Sequence, residues 1–293
     1  MSDMPLISLP LRAFETLSRP AFVMPPHAWD MHVHVFGPAE RYAHVAKPHY
    51  TLPDGTLAQY RRLMPQLGLQ RFAIVQPSYY GTDNTCLLDS LAEAGDLARG
   101  VVMIEPDITD AELERFNRSG VRAVRLDLFK RVREPVAAMQ RYITETAERI
   151  GPLGWHLQFY APGYVVRDLI GFLRSLPIDF VIDHMGYMLE EDGLKAEDFS
   201  RLLNLLECGR CYLKLSGAYR IAKHRGYEFV EPVAKSIVER APERALWGSD
   251  WPHISYSDRD TGELLNLLER WAPSQQARQR ILVENPNRLF GVA

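Results

Sequence analysis

Asp30-Met31-His32-Val33-His34 sets two imidazoles two residues apart. On an extended chain such residues share a face about 6–7 Å apart, so both rings can converge on one metal ion or one polarised oxygen. His184 closes the apolar run that begins at Phe180, and Asp250 closes the run that begins at Leu246. Each of these residues alone is ordinary; three imidazoles and a carboxylate at the ends of apolar runs form a constellation. Arg125 lies inside another such run, on its polar side, where a charge is costly without an anion. Cys208-Gly209-Arg210-Cys211 sits where a helix gives way to a strand rather than at a helix start, so it reads as structural.

These residues need elements to hold them. Eight strand candidates recur, at 30–36, 71–78, 100–105, 121–129, 155–160, 178–184, 211–216 and 245–250. Helix-like stretches at 85–97, 110–119, 135–150, 164–176, 196–206 and 227–240 separate them. Alternating strands and helices predict βαβ units, and eight units predict a (β/α)8 TIM barrel. Residues 1–28, with five prolines, read as an extended arm, and 29–293 as one barrel domain. A two-residue period puts Asp30, His32 and His34 on one face and Met31, Val33 and Val35 on the other. The same period groups Arg125 with Asp127, His156 with Gln158 and Tyr160, and Lys214 with Ser216. The polar residues gather towards the C-terminal strand ends, where barrel active sites lie. His156 is near the start of its strand, at the other end.

With 34 Lys and Arg against 37 Asp and Glu in 293 residues, the net charge is -3. No basic surplus exists for nucleic acid. No run approaches the ~18 apolar residues of a membrane span, and residues 1–12 lack the pattern of a signal peptide, so a cytoplasmic protein is expected. Three cysteines make no disulfide framework.

The stretches 30–38 (DMHVHVFGP), 75–84 (VQPSYYGTDN), 124–131 (VRLDLFKR), 181–186 (VIDHMG) and 247–253 (WGSDWPH) resemble the amidohydrolase superfamily, in the branch that contains 2-pyrone-4,6-dicarboxylate lactonase. The likeness spans roughly residues 28 to 291 and includes the C-terminal stretch 281–290. It implies hydrolysis of a lactone of a carboxylated ring compound. Asp250 would be the general base on water, with His32, His34 and His184 polarising the carbonyl. Arg125, Arg131 and Arg220 would grip substrate carboxylates, and Ser78, Tyr50 and Tyr160 would line the pocket. The branch implies catalysis without metal or other cofactor, although three nitrogens and a carboxylate also make an acceptable zinc set. The alternatives are a zinc-dependent hydrolase or non-oxidative decarboxylase of an aromatic acid, and a barrel that only binds an anion. One departure stands out: the branch has His-Met-Gly-Arg-Pro where this chain has His184-Met185-Gly186-Tyr187-Met188. Losing that arginine leaves open a muconolactone-type or sugar-acid lactone. The expected partner is a small carboxylated lactone, and a homo-oligomer is left open.

Overall fold

The computed structural model describes residues 11–42, 55–188 and 194–292. Eight strands follow in chain order: β1 (Trp29–Val33), β2 (Arg71–Val75), β3 (Ala98–Val102), β4 (Val121–Asp127), β5 (His156–Tyr160), β6 (Phe180–Ile182), β7 (Cys211–Leu215) and β8 (Ala245–Trp247). Consecutive strands pair in parallel, from β1 with β2 to β7 with β8. Just beyond β8 the seam is stitched to β1: Asp250 N–H donates to His32 O at 2.9 Å and His34 N–H to Trp251 O at 2.8 Å. The result is a nearly closed (β/α)8 barrel.

The helices are α1 (Leu57–Leu63), α2 (Thr85–Ala94), α3 (Asp110–Arg118), α4 (Val136–Ile150), α5 (Gly163–Leu173), α6 (Ala196–Leu205), α7 (Ala218–Ala222), α8 (Glu231–Arg240), α9 (Thr261–Trp271), α10 (Gln275–Gln279) and α11 (Asn285–Phe290). Their apolar stripes explain why they lie on the sheet. In α4, Met139, Ile143, Ala147 and Ile150 recur every three to four residues and are buried. Starts are capped: Thr109 and Glu112 form a capping box at α3, and Asp260 accepts from the backbone of Gly262 and Glu263 at α9. No described helix is long and apolar enough to cross a membrane. The arm is strapped to the end of the chain: Arg12 N–H donates to Ser257 O, Ser18 binds Asp260, and Ala21 N–H donates to Asn266.

Two core layers result. Phe72, Ile74, Val124, Leu126, Leu157, Phe159, Leu213 and Trp247 pack outward against the helices. Trp29, Met31, Ala73, Val181, Tyr212 and Leu246 point inward and, with Leu289 and Phe290, seal the floor.

The strands are shorter than the sequence predicts, chiefly at their C-terminal ends. Soon after β6 and β8 the chain leaves extended geometry: His184, Met185, Tyr187, Asp250 and His253 all have left-handed φ, between 49° and 62°. Such backbone is disfavoured for residues other than glycine by about 1–3 kcal/mol each and persists only where surrounding structure holds it.

The face assignment of β1 also needs correction. Asp30 opposes Phe72 and Val33 opposes Ile74, so β1 spends one extra residue on this stretch. This β-bulge turns Met31 and His32 both inward and leaves Asp30 outward. Asp30 accepts from Tyr60 Oη in α1 and from the backbone of Ser249 and His32. Burial pushes its carboxyl up to about 6, against those hydrogen bonds, which lower it.

Candidate active site

Strand ends and the turns after them bring the predicted residues to one mouth. His32 and His34 come from the end of β1, Ser78 from the turn after β2, Arg125 from β4, Tyr160 from β5, His184 from the turn after β6, Arg220 from α7 and Asp250 from the turn after β8. His34, Ser78, Arg125, Tyr160, His184, Arg220 and Asp250 line one cavity. Close approach there depends on two glycines. A Cβ on Gly248 would sit 2.6 Å from His32 Cβ, and one on Gly217 2.6 Å from His184 Nδ1.

The imidazoles are fixed by different partners. His34 Nδ1 is 2.7 Å from Val75 O, so its Nε2 faces the mouth. His32 Nε2 lies 3.2 Å from that Nε2. His184 Nδ1 is 2.8 Å from Ser216 Oγ. Burial lowers all three; it takes His184 to about 4, with Asp250 and Asp183 opposing, and holds His32 well below its ordinary value, helped by the charge of Lys214. They are neutral imidazoles at neutral pH.

Asp250 is gripped on one side only. Its Oδ2 accepts from Tyr219 Oη and from Arg220 Nε, both at 2.5 Å. Its Oδ1 has no hydrogen-bond partner among the described residues and lies 3.6 Å from Nε2 of both His32 and His34. Burial alone would raise this carboxyl; Arg220 foremost, with His184 and His34, outweighs it and holds Asp250 well below the usual carboxylate range.

The expected substrate grips divide. Arg125 is buried, donates to Gln76 O and Ser78 Oγ at 3.0 Å, and stacks on the Tyr160 ring. Ser78 in turn donates to Asp127 at 2.6 Å. Arg220 is in the mouth but spends its Nε on Asp250. Arg131 is elsewhere: it pairs with Glu134 at 2.9 Å, lies over the Tyr142 ring and does not line the cavity, because a helical turn at Leu128–Arg131 carries it past the rim. Tyr50 lies outside the described residues. Tyr187, which stands where the resemblance expects arginine, meets His184 and Phe129 edge-on and lies near Tyr160, forming an aromatic wall.

Sequence reasoning missed the layer beneath. Lys214, fully buried, is ion-paired with Asp183 Oδ1 at 2.9 Å and lies 3.2 Å from His32 Nδ1. Gln158 holds the other Asp183 oxygen at 3.0 Å. A lysine inside an apolar strand, on the inward face, was the available signal. Tyr219 gave none, because its partner is 31 residues away. His156 is at the floor, its ring 5.6 Å from Phe290, as its place early in β5 predicts.

A divalent cation needs three or four lone pairs converging. Among the described residues two groupings have the spacing: His32, His34 and Asp250, and His32, Asp183 and His184. Each already touches fixed cations. Lys214 contacts His32 and Asp183, and Arg220 contacts Asp250. A third charge close to these would be repelled. The residues present therefore do not fit a divalent cation in this arrangement.

Comparison with known proteins gives a consistent picture. The family model described as amidohydrolase matches residues 29–292. The 4-sulfomuconolactone hydrolase of Hydrogenophaga intermedia is 36% identical over 279 residues, covering 92% of this chain and 90% of that protein. The 2-pyrone-4,6-dicarboxylate hydrolase of Comamonas testosteroni is 34% identical over 285 residues, covering 93% of each. A crystal structure of an Agrobacterium tumefaciens protein in its apo form superposes with a TM-score of 0.81 at 28% identity, over 94% of this chain and 99% of that one.

Proposed function

The chain belongs to the amidohydrolase family, and on that premise we propose that it is a hydrolase opening the lactone of a carboxylated ring compound, most like 2-pyrone-4,6-dicarboxylate. One observation carries the reading: the ungripped Oδ1 of Asp250 faces two imidazoles in a cavity walled by Arg125 and Arg220. Asp250 takes a proton from water as the water oxygen bonds to the lactone carbonyl carbon. Imidazole N–H groups at the mouth stabilise the oxyanion that forms. The carbonyl then re-forms, the ring C–O bond breaks, and the proton returns to the leaving oxygen. A carboxylate held far below neutral is a weak base. A substrate carboxylate that engages Arg220 draws it from Asp250 and restores basicity where the substrate is bound. Metal is not required in this scheme.

The test is loss of pyrone ultraviolet absorbance with chelator-treated protein, against Asp250→Asn. Wild type turns over after chelation, and the variant loses about 10³-fold or more in kcat. Turnover restored only by zinc overturns the metal-free scheme. Tyr187 and the Hydrogenophaga relative favour a second reading, a muconolactone-type substrate. Faster turnover of such a lactone than of the pyrone, reversed in Tyr187→Arg, would select it.

A further inference from the structure

We propose that Lys214 is a positioning residue that fixes His32 as a proton donor and His34 as an acceptor at the mouth, giving the two histidines opposite roles. The assignment deepens the lactone reading and rests on it for its catalytic part. An ammonium has three donors and no acceptor. Lys214 Nζ is ion-paired with Asp183 Oδ1 at 2.9 Å, and His32 Nδ1 lies 3.2 Å from the same nitrogen. The same Nδ1 is 3.5 Å from Asp183 Oδ1, but the nearer ammonium can only donate, so Nδ1 turns its lone pair to Lys214 and the imidazole proton is on Nε2. At His34 the order reverses. Its Nδ1 is 2.7 Å from Val75 O, which only accepts, so Nδ1 carries the proton and Nε2 is bare. The 3.2 Å contact between the two Nε2 atoms is then an N–H···N hydrogen bond from His32 to His34.

This order runs from the buried ammonium outward. Lys214 is fully buried at the inner face of β7 and its charge is balanced by Asp183, which Gln158 also holds. A buried ammonium is costly unless paired, so its retention inside the barrel calls for a role. When substrate and water enter, the His32 Nε2–H leaves the His34 lone pair for the developing oxyanion, and that lone pair is freed. His34 Nε2, 3.6 Å from Asp250 Oδ1, accepts a hydrogen bond from the attacking water, whose other proton goes to Asp250. One internal cation thus does the orienting. It also denies a metal ion the His32 lone pair at Nε2.

Imidazole ¹⁵N NMR of the wild-type protein tests the assignment without any variant. His32 must show a protonated Nε2 and a bare Nδ1, and His34 the reverse; the opposite pattern at either ring overturns it. Lys214→Met removes the donor, and Lys214→Met with Asp183→Asn also removes the carboxylate left unpaired. In whichever variant keeps the wild-type circular dichroism, the His32 proton is expected to leave Nε2 and kcat to fall about 100-fold. KM is expected to stay within about threefold. That variant is also expected to take up one zinc per chain by calorimetry where wild type takes up none. An unchanged His32 tautomer with undiminished kcat overturns the role. If wild type opens no lactone, the lactone reading fails, and the tautomer and zinc measurements still decide the role of Lys214.

Discussion

The barrel has two ends built from the same eight strands, and each holds a buried neutral histidine. At the floor, His156 packs on Phe290, burial takes it to about 3, and its Nδ1 has no hydrogen-bond partner among the described residues. At the mouth, His184 is equally buried and taken to about 4, yet its Nδ1 is fixed on Ser216 and its ring stands 5.0 Å from that of His32. The floor is closed by Trp29, Met31, Leu246 and Phe290; the mouth balances Lys214, Arg220 and Arg125 against Asp183, Asp250 and Asp127. A perturbed pKa is common to both ends. Convergence of oriented groups on one cavity belongs to the mouth alone, and it separates a site from a core.

Exchanging leucine for each histidine gives the sharpest contrast. His184→Leu should lower kcat by about 10²–10³-fold. His156→Leu should leave kcat within about threefold, since it touches no reacting group. Equal losses in steady-state assays would erase the distinction. Stability should divide the other way. Met31→Ala opens the floor and is expected to cost about 2–5 kcal/mol in urea denaturation while the folded fraction keeps its kcat. Acid acts on both ends together. His156, His184 and His253, taken to about 3, 4 and 4, stay neutral in the folded chain while their unfolded counterparts bind protons below about 6.5. Each removes up to about 1.4 kcal/mol per pH unit as pH falls towards its folded value. Asp30, raised to about 6, has the opposite sign: its folded form binds a proton first, so it offsets one histidine between about 6 and 4. Urea midpoints at pH 7 and pH 5 should therefore show a net loss at the lower pH.

Most of this was readable beforehand because strand order, strand count and the polar inward faces of β4, β5 and β7 follow from a period of two. That His32, His34, His184 and Asp250 come together was readable because they cluster at strand ends. The bulge in β1 was not, since one extra residue leaves no mark on composition, and it moved Asp30 from the expected inward face to Tyr60. Pairings between elements were equally hidden. Arg220 follows β7 and Asp250 follows β8, and only the closed barrel sets one guanidinium on the other's carboxylate. Arg131 failed as a pocket residue because the turn after β4 directs it to Glu134.

The seam carries a kinetic consequence. Ser249 N–H reaches Asp30 across 219 residues of chain, and the Asp250 N–H to His32 O bond spans a similar loop. Contacts of such separation close late, after shorter loops have formed. The same stitch that completes the barrel delivers the carboxylate to the imidazoles. A nascent chain still lacking its last strand has both histidines and no Asp250 carboxylate beside them, so the onset of turnover during refolding would time the joining of first strand to last.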